Sequence, residues 1–236
     1  MTEEFDAFME LFKDLPREGP GNVDSLLSVL DMAATPPDAR IFDAACGSGA
    51  DSELFARALP NAEILAVDRQ AQFIEAAQAR GIRASFKVGD MLEPDGKFDL
   101  IWSAGAVYFC GVEKALETWR KHLKPGGKIA FSEVVWLTDE PSTQAKEYWE
   151  EAYPHMVGIH QMIGRIEALG FRVISATPLG RPSWEAFYDP IKKRAEQLRG
   201  QGPVMDAVLA ENDAEVAMFE ACFGEYDYVV YLVEPA

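Results

Sequence analysis

An α/β fold with a Rossmann-like parallel sheet is predicted by three features. Short apolar runs alternate with helical stretches, a glycine-containing loop follows the first run, and single acids close three successive runs. The strand-like runs are Ile41–Ala45, Glu63–Val67, Ala84–Val88, Phe98–Trp102 and Lys128–Val135, with helices expected over Ser52–Leu59, Gln70–Arg80 and Val112–Leu123. Gly81 and the Gly126-Gly127 pair fall where helix caps are expected.

Before this alternation, Phe5, Phe8, Leu11 and Phe12 recur at helical spacing, and a second helix covers about Asp24 to Met32. The stretch Leu15-Pro16-Arg17-Glu18-Gly19-Pro20-Gly21 between them is forced into a loop by its prolines and glycines. Towards the other end, helices at Gln144–Ala152 and His160–Leu169 precede a strand at Phe171–Thr177, with Gly170 as cap. Residues 178–224 read as largely helical and aromatic, and Tyr226–Glu234 reads as a last strand. A single domain is expected: an N-terminal helical lid (1–40), a cofactor-binding core (41–136), and the remaining sheet (137–236) with a helical substrate cap over about 178–225. Helices inserted between the last two strands would lie over the carboxyl edge of the sheet, where open α/β folds bind ligands.

Composition narrows the function. The 236 residues carry 22 basic against 39 acidic side chains, a formal net charge of -17, so no basic face is available for a phosphate backbone. No apolar stretch approaches the roughly 20 residues a membrane span needs. Cys46, Cys110 and Cys222 are far apart, which argues against a disulfide framework or a zinc site and points to a reducing cytoplasm. The expectation is a cytoplasmic monomer or homodimer with a small-molecule partner, no nucleic acid, no membrane and no metal.

The loop Ile41-Phe42-Asp43-Ala44-Ala45-Cys46-Gly47-Ser48-Gly49 runs from strand to helix, its glycines admitting a ligand close to the backbone. A dinucleotide fingerprint requires a third glycine at position 52, where this chain has Ser52, and Asp43 would repel a pyrophosphate. An ammonium-bearing, phosphate-free ligand such as S-adenosylmethionine suits the loop better. Asp68, with Arg69 beside it, ends the second strand and can accept hydrogen bonds from two ribose hydroxyls. Gly89-Asp90-Met91 ends the third, with Asp90 placed to take an adenine amino group and Met91 to cover the ring. Each of these acids alone also fits a capping role; the ordered set is what points to one ligand.

The ordered set D-x-x-C-G-x-G, an acid after strand two, G-D after strand three, F-D-L-I-W and L-K-P-G-G-K resembles the motif series of class I S-adenosylmethionine-dependent methyltransferases over about residues 41–136. That resemblance implies a seven-stranded, mostly parallel sheet with an antiparallel last strand, S-adenosylmethionine as cofactor and S-adenosylhomocysteine as product. A narrower similarity, to a bacterial small-molecule methyltransferase family near the ubiquinone/menaquinone biosynthesis branch, rests on Leu15-Pro16-Arg17-x-Gly19-Pro20-Gly21, Ser132-Glu133-x-x-Trp136, Ala152-Tyr153-Pro154 and Trp184-x-x-Phe187-Tyr188. Ala45 stands where a glycine is usual in the class, and Ala104 where the narrower family often has glutamate, which puts a shared acceptor in doubt. The cofactor contacts implied are Arg17, Gly21, Asp43, Ala45, Gly47, Gly49, Asp68, Arg69, Gly89, Asp90, Met91, Ser103 and Tyr108.

For catalysis the candidates are Tyr108 beside the methyl (or as a wall of the cofactor pocket), Glu133 as base or cation site, and His160 as base. Trp136, Tyr153, Trp184 and Tyr188 are candidates for lining an acceptor pocket, with core burial as the competing role. A D/N-P-P-F/Y loop, used in methylating bases or glutamine, is missing after strand four, where the chain reads Ser103-Ala104-Gly105-Ala106-Val107-Tyr108. Methyl transfer to a small molecule is the leading expectation. A non-catalytic S-adenosylmethionine sensor and, further behind, a nicotinamide-dependent oxidoreductase are the alternatives.

Overall fold

The computed structural model describes residues 2–236 and places seven strands in one sheet. They are β1 (Arg40–Ala44), β2 (Glu63–Asp68), β3 (Ser85–Val88), β4 (Phe98–Ser103), β5 (Leu123–Trp136), β6 (Phe171–Pro178) and β7 (Tyr226–Pro235), in the order β3-β2-β1-β4-β5-β7-β6. Strands β1 to β5 pair in parallel, while β7 slots between β5 and β6 and runs antiparallel to both. Strand order reverses between β1 and β4, which opens a crevice beyond their carboxyl ends.

Successive side chains on a strand point to opposite faces, so a sheet covered on both sides is apolar along its whole length. Ile41, Ile64, Leu100 and Trp102 face a layer formed by α2 (Val23–Met32) and α3 (Ala50–Ala58), through Leu26, Val29 and Phe55. Phe42, Leu65, Ile101 and Phe131 face α5 (Val112–Arg120) and α7 (Ile159–Ala168), through Leu116, Trp119, Met162 and Ile166. The helix α4 (Ala71–Ala79) closes the β2–β3 edge with Ile74 against Cys46 and Ala66.

A second core lies above the carboxyl edge. It joins α1 (Glu3–Phe12) to α6 (Thr143–Ala152), α8 (Arg181–Leu198) and α9 (Pro203–Cys222) through Leu11, Leu15, Ala145, Trp184, Tyr188, Ile191, Leu209 and Phe219. Arg194 of α8 ties down α1 by donating to the Glu10 carbonyl at 3.1 Å and pairing with its carboxylate. The expected helical insertion is therefore present, and it closes on the first helix of the chain.

Two expectations need correction. Helix α2, placed with the lid by its position in the sequence, belongs to the layer under the sheet, because Leu26, Val29 and Leu30 have an apolar strand face to cover. Gly126-Gly127 caps no helix, since α5 already ends at Arg120. The pair lies at the start of β5, where Gly126 has φ +78° and a Cβ on Gly127 would sit 2.7 Å from the Phe98 carbonyl oxygen.

Candidate active site

The turn from β1 into α3 carries three left-handed residues, Ala45 (φ 61°), Gly47 (φ 53°) and Gly49 (φ 83°). This tight path turns backbone amides towards the crevice: Gly47 N–H donates to Asp68 Oδ2 at 3.0 Å. Ala45 adopts the left-handed conformation without a glycine's freedom, at a cost of roughly 1–2 kcal/mol. The two glycines serve different ends. A Cβ on Gly47 would meet the Glu18 carboxylate at 2.2 Å, inside the crevice. One on Gly49 would press at 3.1 Å on Ala77 and Phe86, so Gly49 permits helix–strand packing and lines no part of the cavity.

Above this turn is a cavity of about 790 Å³, walled by Asp43, Ala45, Gly47, Asp68, Arg69, Gly89, Asp90, Met91 and Tyr108 and roofed by α1, Arg17, Glu18 and Trp184. It lies within the roughly 300–1,000 Å³ range of small-molecule sites. The sequence-expected acids of three strand ends meet here. Asp68 accepts from Gly47 N–H and, through Oδ1, from Gln70 N–H at 2.8 Å; burial still holds its carboxyl above the ordinary range. Asp90 accepts from Leu92 N–H at 2.8 Å and pairs with Arg69 at 2.5 Å, and these contacts hold its carboxyl below that range.

Asp43 is almost completely buried, and the hydroxyl of Ser52 donates to it at 2.6 Å. Ser52, which stands in place of the third glycine, thus orients the acid of the cofactor loop. Burial first, and then the neighbouring Asp51, push the Asp43 carboxyl up to about 8. Asp51 is held in turn by Trp102 Nε1–H at 2.9 Å and by Arg17 at 3.4 Å.

The loop of residues 13–21 closes over the turn. Glu18 Oε2 accepts from Ser48 N–H at 3.1 Å, while Oε1 is buried with no hydrogen-bond partner. Arg80, at the end of α4, donates to Ser48 O at 2.6 Å and Pro16 O at 2.9 Å and pairs with Glu53 at 2.7 Å. Glu18, Asp51 and Arg80 escaped sequence reasoning because they act on Ser48, Trp102 and Ser48 across 30 or more residues; only Glu18, inside the lid motif, carried a local signal.

Several expected residues lie elsewhere. Gly21 is buried against the Arg17 guanidinium, and Ser103 is buried with its hydroxyl on the Ala44 carbonyl at 2.9 Å; neither lines the cavity. Trp184 reaches the cavity with its indole N–H on Asp227 at 2.6 Å, whereas Tyr188 sits in the helical core with its hydroxyl on Glu215 at 2.8 Å. Trp136, Tyr153 and His160 line a second cavity of about 540 Å³, with only Trp149 facing both. His160 is exposed there. Tyr153 remains linked to the main site, its ring 6.2 Å from that of Tyr108.

Glu133 is completely buried, with neither carboxylate oxygen in a normal hydrogen bond. Burial pushes it up to about 7, opposed by the Tyr153 hydroxyl and the Tyr108 backbone amide. Tyr108 itself is pushed up to about 12 by burial and by the nearby Glu133.

A protein-family model described as a methyltransferase domain matches residues 41–127, the segment that builds this turn and the strand-end acids. Among relatives, the malonyl-[acyl-carrier protein] O-methyltransferase of Herminiimonas arsenicoxydans is 26% identical over 70% of this chain and 64% of its own. The trans-aconitate 2-methyltransferase of Deinococcus radiodurans is 33% identical over 40% of this chain and 37% of its own. The chain thus spans less than two thirds of the length of either relative. A solved SAM-dependent methyltransferase from Geobacter sulfurreducens, crystallised with S-adenosyl-L-homocysteine, superposes with a TM-score of 0.83 at 19% identity, covering 98% of both chains. Residues 41–127 thus match a methyltransferase domain, and the chain as a whole has the fold of that solved SAM-dependent methyltransferase.

Proposed function

We propose that the protein transfers a methyl group from S-adenosylmethionine to a small-molecule acceptor held under the helical cap. The observation that carries this reading is the single cavity that runs from the Gly47 turn and the acids Asp43, Asp68 and Asp90 to an aromatic chamber beneath α8 and α9. Its donor set fits the cofactor. Six acidic side chains line it, Asp43 holding its proton near neutrality, against two guanidiniums already paired with aspartates, a balance that suits a cationic, phosphate-free ligand and opposes a pyrophosphate.

When bound, S-adenosylmethionine supplies a methyl activated by a sulfonium. The chain's residues have distinct tasks. Asp68 retains lone pairs beyond its two backbone contacts and would accept the ribose hydroxyls. Glu18 and Asp43 would face the ammonium group, and Asp90 with Met91 would border the adenine. Helix α1 and the Glu18 loop exclude water, and holding donor and acceptor in line under that roof is worth on the order of 7–11 kcal/mol. Glu133, pushed up to about 7 by burial, lines neither cavity, so it could take a proton from the acceptor only through a group between them, such as the neighbouring Tyr108 or Tyr153.

The acceptors named for the two relatives, malonyl-[acyl-carrier protein] and trans-aconitate, are unlike each other and select none for this chain. Turnover is tested by incubating the protein with S-adenosylmethionine and fractionated metabolites, following S-adenosylhomocysteine release and then the mass of any product gaining a methyl. Substitution Asp68→Ala is expected to weaken S-adenosylmethionine binding at least tenfold in calorimetry, with the fold intact. Unchanged affinity would refute the ribose assignment. Cofactor binding without S-adenosylhomocysteine release from any pool would favour a sensor.

A further inference from the structure

The cavity has two chemically different ends. Both basic side chains on its wall are at the cofactor end, where Arg17 pairs with Asp51 and Arg69 with Asp90. Towards the cap the wall consists of Phe12, Trp149, Trp184, Phe187 and Tyr228, interrupted by the one acid Glu215. The rings form a continuous group: Trp184 lies 5.3 Å from Tyr228 and Phe12 lies 6.2 Å from Phe187, centroid to centroid.

Glu215 is fixed by the Tyr188 hydroxyl at 2.8 Å and has no cationic partner among the described residues. Burial pushes its carboxyl pKa up. A second acid adds to the field at this end: Glu133, fully buried with neither oxygen in a normal hydrogen bond and no cationic partner among the described residues, acts on Tyr108 and Tyr228, which both line the cavity. A buried carboxylate without a counter-charge is costly to the fold, and aromatic side chains attract cations. Among the described residues, no cationic side chain lines this end to neutralise an anionic acceptor.

We propose that the methyl acceptor is an amine, its nitrogen received between the Glu215 carboxylate and the aromatic side chains of Trp184 and Tyr228. The proposal rests on the methyltransferase reading and names its substrate class. The charge balance agrees with it: as the nitrogen lone pair forms the N–C bond and the C–S pair returns to sulfur, positive charge passes from sulfur to nitrogen. The methylated ammonium then lies where the carboxylate and the rings stabilise it, and an N–H proton is given up to solvent on release.

The test uses benzyltrimethylammonium as a product-like probe, neopentylbenzene as its neutral isostere and phenylacetate as an anion of similar size, each titrated into the full chain by tryptophan fluorescence with S-adenosylhomocysteine present. The cation is expected to bind at least tenfold tighter than the other two. Glu215→Gln is expected to lose that preference at least tenfold while keeping S-adenosylhomocysteine affinity within twofold. Equal binding of the three probes, tighter binding of phenylacetate, no cation binding, or a Glu215→Gln variant that retains the preference would each overturn the proposal. The comparison of probes on the unaltered protein stands even if the variant does not fold. Failure of S-adenosylhomocysteine to bind would count against the methyltransferase reading instead, and the same titrations run without it still read the charge preference of the cavity.

Discussion

Replacing Ser52 by alanine isolates the contact that distinguishes this cofactor loop from a dinucleotide loop. The hydroxyl donates at 2.6 Å to an Asp43 carboxylate with 2% exposure, so no water replaces it when it is removed. The groups that set the Asp43 titration are Asp51 and Asp68, which raise it along with burial, and Ser52, which lowers it; the Cys46 thiol feels its charge in turn. The unfolded chain releases the Asp43 proton near its ordinary value of 3.8 and the native chain near 8. Native Asp43 therefore holds an extra proton between those values, and its contribution to stability declines as pH rises across that window.

Since Ser52 favours the ionised form, its removal must cost more where Asp43 is ionised. A hydrogen bond to a charged group is worth about 1.5–3 kcal/mol and one between neutral groups about 0.5–1.5 kcal/mol. Ser52→Ala is accordingly expected to cost about 2 kcal/mol at pH 9 and about 1 kcal/mol at pH 6. The difference of about 1 kcal/mol corresponds to a further rise of roughly 0.7 pH unit in the Asp43 titration. Urea unfolding of both proteins at the two pH values measures it, with Ser52→Gly, which supplies the third glycine, as the partner variant expected to behave alike. A penalty equal at both pH values, or larger at pH 6, would refute the reasoning.

Three further outcomes are expected. Tyr108→Phe should lower kcat about tenfold, equivalent to ~1.4 kcal/mol, while S-adenosylmethionine affinity stays within twofold; equal loss in both would make Tyr108 a wall of the cofactor pocket. Arg80→Ala, which removes the ties to Pro16 and Ser48, should lower hydrogen-exchange protection at the Ser48 amide about tenfold, a local loss of ~1.4 kcal/mol. Unchanged protection there would show that the loop closes without Arg80. Trp184→Phe removes the indole donor from the buried Asp227, leaving it backbone amides such as that of Gly180 at 2.7 Å, and should destabilise the protein by roughly 1–3 kcal/mol. Recovery of part of that loss by Asp227→Asn in the same chain would tie it to the uncompensated carboxylate.

The sheet was legible because its signals are local: apolar runs bounded by acids and glycines can be read within ten residues. The same holds for Asp43, Asp68 and Asp90, which the parallel register of β1, β2 and β3 brings to one edge. Absence of glycine at position 52 was also readable, whereas the use made of the serine was not, since that depends on how α3 turns against β1. Trp136, Tyr153 and His160 share the aromatic and titratable chemistry of a site but fall on the far side of Trp149. No periodicity within α6 and α7 tells which of two cavities a residue will face. Glu215 went unnoticed for a related reason: one acid in a long helix is ordinary until the helix is seen to roof a cavity.

The roof also constrains how the protein comes into being. Glu10 and the Arg194 that holds it are separated by 184 residues, and β7, made after both, must enter the sheet between two strands already synthesised. At roughly 5–20 residues per second, α1 waits about 10–40 s on the ribosome before its partner helix is made. Throughout that interval Leu11 and Phe12 have no cap to cover them, while β1 to β4 have already been made. The cofactor turn is thus assembled early and its lid late, so a nascent chain offers an open crevice well before it can close one.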